Sequence, residues 1–103
     1  PFNNNWPCSL FASQDGVAID AVGLDFIRSE WPDALDIKFS DQYLIEAAQA
    51  HNPPSKAVYD PERDGSKLSS LGVMEHWNNA TDKKYSQNMG KKNGIELIQK
   101  SIN

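Results

Sequence analysis

The fold is decided by the stretch DGVAIDAVGLDFIRSEW, residues 15–31. Its apolar residues recur every three or four positions, which is the spacing of one face of an α-helix. Asp15 opens the stretch in the position of an N-cap, and Pro32, which follows the stretch, forces the residue before it out of helical geometry. We therefore predict a largely buried helix from about residue 15 to residue 31. The predicted inward stripe is Val17, Ala21, Leu24, Ile27 and Trp31, widened sideways by Ala18, Val22 and Phe26.

A second helix is predicted over DQYLIEAAQAH, residues 41–51, with Ser40 as its N-cap and the prolines of NPP, residues 52–54, as its stop. Tyr43, Leu44, Ala47 and Ala48 form its predicted inward face.

Two short apolar segments, residues 8–13 and 95–99, are expected to be strands. Residues 53–72 are expected to form a long structured loop, and residues 71–79 fit either a short helix or a strand. The fold class predicted from these elements is α+β, with two main helices, a few short strands and much irregular loop.

The composition limits both size and function. The 103 residues suffice for a single domain or a fragment of one, and so much loop in a short chain suggests a segment that packs against a neighbour. The net charge of −4 argues against nucleic-acid binding, and no apolar run is long enough to span a membrane. Cys8, the single cysteine, is expected to be buried on a strand and cannot form an iron–sulfur site alone.

The stretch DPERDG, residues 60–65, resembles the start of a calcium-binding loop. Asp60, Glu62 and Asp64 alternate as ligands would, and Gly65 stands where such loops turn sharply. The twelfth position, however, is Leu71 and cannot supply the bidentate carboxylate. We therefore expect a turn in which Asp60 and Asp64 cap backbone amides, with calcium binding through the three acidic residues as the alternative.

Asp20 is the acidic residue expected to matter most within the first helix. A carboxylate on a helix that buries most of its surface needs a compensating partner, so we predict a buried Asp20 that accepts hydrogen bonds from backbone amides or a cation. Asp25 and Arg28 are three positions apart and are expected to form an ordinary surface pair.

The stretch EHWNN, residues 75–79, carries the other candidate site. His76 is suited to acid–base chemistry, while Glu75, Trp77 and Asn78 offer acidic, aromatic and amide contacts to a ligand. The alternative is a packed tryptophan flanked by asparagine-rich turns.

Several stretches in this order together resemble one bacterial family. They are SLFASQDGVAIDAVGLDFIRSEWPD, YLIEAAQAHNPPS, VYDPERDGSKLSSLGVMEHWNN and DKKYSQNMGKKNGIELI. They are similar to the C-terminal portion of proteins in the domain-of-unknown-function family number 362. The most recognisable segment runs from Ser13 through Asp15 and Asp20 to Ala21.

The resemblance implies that the chain is the C-terminal part of a larger α/β protein, of a subgroup associated with export. Its implied partner is the N-terminal part of the same protein, with self-association as the alternative. Some members of the family are described as iron–sulfur proteins, but this chain has too few cysteines for that cofactor.

Three functions are compatible with these observations. Asp15, Asp20 and His76 could line a cleft of a larger enzyme or redox protein. Glu75, Trp77 and Asn78 could instead belong to a module that binds a cell-surface partner or a saccharide. The chain could also be a purely structural segment.

Overall fold

A computed structural model describes residues 9–33 and 37–102, and its regular structure is helical. Helix α1 spans Gly16–Glu30, helix α2 spans Ile37–Ala48, and a single 3₁₀ turn spans Gln87–Met89. Neither described range contains a β-strand. The predicted α+β fold class is therefore wrong, and the described part of the chain consists of two α-helices followed by a long, mostly irregular segment.

The α1 prediction is confirmed, including both of its ends. The Asp15 carboxylate accepts a hydrogen bond from the Ala18 backbone amide at 2.8 Å, as an N-cap does. At the other end the Trp31 amide donates to the Ile27 carbonyl at 2.8 Å, and Pro32 follows.

The buried face of α1 is turned relative to the predicted stripe. Ile27 and Trp31 remain 48% and 43% exposed, whereas the sideways residues Ala18 and Val22 are buried. The predicted stripe is therefore confirmed at Val17, Ala21 and Leu24, and the core extends sideways from it instead of along it to Ile27 and Trp31. The buried apolar members of the core are Val17, Ala18, Ala21, Val22, Leu24, Leu44, Tyr85 and Ile95.

Helix α2 begins earlier and ends earlier than the predicted range of 41–51. It starts at Ile37, so Ser40 lies inside the helix and is not its N-cap. It ends at Ala48, and residues 49–52 continue as a turn in which the Asn52 amide donates to the Gln49 carbonyl. Leu44 is buried as predicted, but Tyr43 is 53% exposed.

The two predicted strands fail because neither segment has a neighbouring strand to pair with. In residues 95–99, the amide and carbonyl of Leu97 bond to the side-chain amide of Asn88, at 3.0 Å each. In residues 9–13, Leu10 is 95% exposed, and the Phe11 ring contacts that of Phe26. Cys8, expected on the first strand, lies outside the described residues.

Residues 53–72 form the predicted loop, and residues 71–79 form neither a helix nor a strand. In the turns that follow, between residues 78 and 84, side chains accept hydrogen bonds from several backbone amides. Asn78 accepts from the Lys84 amide, and Asn79 accepts from the amides of Thr81 and Asp82. No helix in the described ranges is long and apolar enough to cross a bilayer.

Candidate functional site

Asp25 is the buried charged residue of the core and the centre of its polar contacts. The residue is 3% exposed. Its Oδ2 accepts hydrogen bonds from the Tyr85 hydroxyl at 2.7 Å and from the Trp77 backbone amide at 2.9 Å. Its Oδ1 lies 2.7 Å from Nδ1 of His76. Three donors therefore compensate the carboxylate, as burial of a charge requires.

His76 lies between two carboxylates from different helices. An ionised carboxylate can only accept hydrogen bonds, so Nδ1 of His76 carries the proton shared with Asp25. Nε2 lies 3.1 Å from Oδ1 of Asp41 on α2. This Oδ1 atom is buried and has no hydrogen-bond partner among the described residues. The contact between His76 and Asp41 is therefore close enough for an ion pair, but its angles do not fit a hydrogen bond.

Arg28 completes the network from α1. Its guanidinium lies 2.8 Å from Oδ2 of Asp41, and both side chains are about one-third exposed. The predicted surface pair between Asp25 and Arg28 is therefore wrong: Asp25 is buried, and Arg28 pairs across the two helices with Asp41. We call Asp25, Arg28, Asp41, His76 and Tyr85 the polar network.

The electrostatics of the network keep Tyr85 a hydrogen-bond donor. Burial raises the pKa of the Tyr85 phenol well above its usual value, and the neighbouring Asp25 carboxylate raises it further. A phenolate facing Asp25 would place two negative charges together in the core. Tyr85, itself fully buried, thus stays protonated and donates to Asp25.

Trp77 packs into an aromatic cluster beside the polar network. Its ring meets Phe26 edge-on at a centroid distance of 5.0 Å and lies 6.5 Å from the Tyr85 ring. The Lys83 ammonium lies 5.8 Å from the centroid of the Trp77 ring. Much of the surface of the Trp77 ring, which was proposed as a platform for a ligand, is therefore covered by packing within the chain.

The other two predicted binding residues also bond to the backbone of their own segment. Oε1 of Glu75 accepts from the Ser86 amide, and Oδ1 of Asn78 accepts from the Lys84 amide at 3.0 Å. These contacts shape the turns between residues 75 and 86.

Asp15 connects the start of α1 to residues 72–73. Its Oδ1 caps the helix through Ala18, and its Oδ2 accepts from the Val73 amide at 2.9 Å. The close approach requires Gly72, because a Cβ there would overlap the Asp15 carboxylate and lie 2.8 Å from Cβ of Val17. Both oxygens of this predicted catalytic residue are thus occupied by backbone amides.

The prediction that Asp20 is buried is wrong. Asp20 is exposed, and its nearest polar contact is a long one, 3.4 Å from the Tyr43 hydroxyl. The role expected of Asp20 belongs to Asp25, one and a half turns further along α1. Asp15, Asp20 and His76 each contact different residues, and no hydrogen bond or ion pair links any two of them in the described part of the chain.

Helical phase could have identified Asp25. It follows Ala18 by seven positions, Ala21 by four and Val22 by three, so it lies on the same face as those three apolar residues. The predicted stripe ran from Val17 through Leu24 to Trp31 with Ala18 and Val22 beside it, and Asp25 was assigned to the surface because only its spacing to Arg28 was considered.

The turn predicted at DPERDG is confirmed. Oδ1 and Oδ2 of Asp60 accept from the amides of Asp64 and Gly65 at 3.2 and 2.8 Å. Asp64 in turn accepts from the Ser66 amide and hydroxyl, which lower the pKa of its carboxyl. Gly65 has the expected positive φ of 79°. Within residues 9–33 and 37–102, no three His, Cys, Asp or Glu side chains lie close enough together to hold a metal ion. This applies also to Asp60, Glu62 and Asp64, the alternative calcium ligands.

The polar network has the parts of an acid–base pair but lacks a nucleophile. A buried carboxylate orients the imidazole of His76 from behind, as in catalytic Asp–His pairs. In the described part of the chain, however, no serine, threonine or cysteine side chain hydrogen-bonds to that ring. Its other nitrogen faces Asp41.

Comparison of the chain with protein-family models, with curated proteins and with solved structures gave no match. The resemblance to family number 362 therefore stays a prediction.

Proposed function

We propose that this chain is a structural segment of a larger protein, the C-terminal part of a protein similar to family number 362, and that the polar network holds the segment together. Asp15 and Asp25 bond α1 to the irregular second half of the chain. His76 of that second half and Arg28 of α1 then contact Asp41 on α2.

The observation that carries the proposal is the sequence separation of the groups that Asp25 holds. Its partners Trp77 and Tyr85 lie 52 and 60 residues further along the chain, and His76 lies 51 residues further. The other long-range polar links that the described residues form from α1, such as Asp15 with Val73 and Arg28 with Asp41, each involve side chains that are more exposed than Asp25. One buried carboxylate with three distant donors therefore fixes how the irregular segment lies on α1.

The packing supports a further protein surface against this segment. Among the described residues, more of the large apolar side chains are exposed than buried: Leu10, Phe39 and Ile98, for example, are 95%, 65% and 69% exposed. Single exposed apolar residues are ordinary, but an excess over the buried ones means that the small core of the described residues could gain further apolar burial. Burying these side chains against the rest of a larger protein would supply the missing apolar contact.

Hydrogen exchange measured by mass spectrometry tests this proposal. The chain alone is compared with a longer polypeptide that contains it, peptide by peptide. We expect residues 37–48 and 95–102 to gain strong protection in the longer polypeptide, because their exposed apolar side chains would be covered. The turn at 60–65, whose amides already bond within the turn, serves as the internal control and should change little. Equal protection of α2 in both forms would contradict the proposal.

A second function is favoured by the exposure of His76. Its side chain is 37% exposed, although Asp25 fixes it from behind at 2.7 Å. In a larger protein it could serve as a general acid or base in a shared cleft, with Asp25 as the positioning residue. His76→Gln in the longer polypeptide separates the two functions. A structural role predicts lower stability with unchanged turnover of the folded fraction, whereas a catalytic role predicts lost turnover at unchanged stability.

A further inference from the structure

A hollow beside the C-terminal end of α2 lies apart from the polar network. It is formed by residues 50–53, residues 56–59 and Lys67, and its volume is about 130 Å³. Since liquid water occupies about 30 Å³ per molecule, the hollow corresponds to roughly four waters. That suits a small ligand, or the charged end of a larger one.

The side chains around this hollow are basic, although the whole chain has a net charge of −4. His51, Lys56 and Lys67 line it, and no acidic residue does. Among the described residues none of these three side chains has an ion-pair or hydrogen-bond partner. Two lysine ammonium groups without an ion-pair partner, on the lining of one concavity, are what an anionic ligand requires.

The carboxylates nearest in sequence are directed elsewhere. Glu46 accepts from the amide and the hydroxyl of Ser55, at 2.9 Å each. Asp60 and Asp64 accept from amides within their own turn. Near the end of α2, the Ala47 and Gln49 carbonyls also have amide partners. These carboxylates therefore bond within their own turns or to α2, and none of them lines the hollow.

The backbone that carries Lys56 is held in an uncommon conformation. Lys56 has a φ of 64°, in the left-handed region that residues other than glycine rarely adopt. The Glu46–Ser55 hydrogen bonds fasten the preceding turn to α2, and the Lys56 amide donates to the Pro53 carbonyl at 3.0 Å. Such strain persists only where the surroundings fix it, and it concentrates at ligand sites.

The remaining wall of the hollow offers an apolar face and an amide. Val58 and Tyr59 are 77% and 60% exposed, and Asn52 lies on the lining. A lining that holds both an aromatic ring and an amide suits a ligand whose ring has an apolar face and hydroxyl groups at its edge. We propose that this hollow binds a sugar acid, with the carboxylate held by Lys56 and Lys67 and the sugar ring against Tyr59.

Titration of the ¹⁵N-labelled chain with D-glucuronate, followed by NMR, tests the proposal. We expect saturable shifts of the backbone amides of residues 51, 52 and 55–59 and of Lys67, with a dissociation constant of about 1 mM. Glucose, which has a hydroxymethyl group in place of the carboxylate, should bind at least roughly tenfold more weakly, because it forms no charge-assisted hydrogen bond. Added salt should weaken glucuronate binding.

Two variants with the same change of charge separate site binding from general attraction. Lys56→Gln combined with Lys67→Gln should weaken glucuronate binding at least about tenfold. Lys91→Gln combined with Lys92→Gln removes two exposed charges outside the hollow and should leave binding unchanged. All four lysines are exposed, so neither variant should unfold the chain, and circular dichroism checks this.

Three results would overturn the proposal. They are the absence of saturable shifts, equal binding of glucose and glucuronate, and equal losses in the two double variants. Inorganic phosphate that binds as tightly as glucuronate would likewise contradict a role for the sugar ring.

Discussion

Replacement of Asp25 by alanine is the most informative perturbation of this fold. The substitution removes the acceptor of two buried or partly buried donors, the Tyr85 hydroxyl and the Trp77 amide, and frees His76 from α1. The small cavity that results cannot restore those hydrogen bonds. We therefore expect Asp25→Ala to destabilise the whole chain, including helices and loops remote from the substitution.

The magnitude follows from the three contacts. Each hydrogen bond to a charged group contributes about 1.5–3 kcal/mol, but contributions that share one carboxylate do not add fully. Removal of one partner from a buried charged network costs about 3–5 kcal/mol, which we take as the expected loss. A small domain has about 5–15 kcal/mol in total, so Asp25→Ala should leave the chain close to unfolding.

Asp25→Asn should cost less, because His76 can exchange tautomers. The amide oxygen can still accept from Tyr85 and Trp77, while the amide nitrogen donates to an unprotonated Nδ1 of His76. The ring proton then moves to Nε2, which faces Asp41. The charge is lost but few donors are orphaned, so we expect a loss of about 1–2 kcal/mol.

Urea denaturation followed by tryptophan fluorescence measures both losses, since Trp77 packs on Phe26 and Tyr85. Asp20→Ala on the exposed face of the same helix is the matched control and should cost less than about 0.5 kcal/mol. Tyr85→Phe should destabilise the parent but have little further effect in the Asp25→Ala background. Equal stability of Asp25→Ala and Asp20→Ala would refute the assignment of Asp25 as the structural centre.

Three further predictions concern other parts of the chain. Gly72→Ala places a Cβ against Asp15 and should lower the free energy of unfolding by about 1–3 kcal/mol. Gly16→Ala, which has open space around the new Cβ, is the control and should be neutral or stabilising. Thermal melting measures both effects. Tyr85 keeps its proton in the folded chain while the unfolded tyrosine ionises near pH 10, so stability is full below about pH 10 and falls as pH rises further. Tyr85→Phe should flatten that alkaline fall in urea midpoints, and an unchanged slope would contradict the assignment. Asp60→Ala should expose the amides of its turn to hydrogen exchange, and calorimetric titration of the parent with calcium should show no saturable binding below about 1 mM.

Local chemistry made part of this structure predictable from the sequence. The ends of α1 follow from Asp15 and Pro32, and the DPERDG turn follows from residues that bond to amides within a few positions. These features depend only on residues that are close to one another in the sequence, so they can be predicted from the sequence alone. The buried length of α1 likewise follows from its spacing of apolar residues.

The strands and the site could not be predicted in the same way. Residues 95–99 alternate as a strand does, but a strand exists only beside another, and here the side chain of Asn88 takes the partner's place. Ser40 has the chemistry of an N-cap, yet α2 starts one turn earlier. Asp20 and Asp25 are both acidic residues on an amphipathic helix, and their difference depends on Trp77, His76 and Tyr85, more than fifty residues away.

The position of Asp25 also explains why the segment from residue 72 onward can be ordered with so little regular structure. Two carboxylates of one helix reach it at separate points, Asp15 at the Val73 amide and Asp25 at the Trp77 amide and the Tyr85 hydroxyl. A segment fixed at two points along a rigid helix cannot slide or rotate past it, even though its own backbone forms no helix longer than one 3₁₀ turn in the described residues. Helix α1 thus fixes the position of this segment. Loss of the hydrogen bonds to Asp25 would release the contact at Trp77 and Tyr85, while Asp15 would still hold Val73. Hydrogen exchange of the Asp25→Ala variant, measured under conditions in which it remains folded, should therefore rise at Tyr85 and the residues around it more than at Val73. Equal increases at both places would contradict the two-point arrangement.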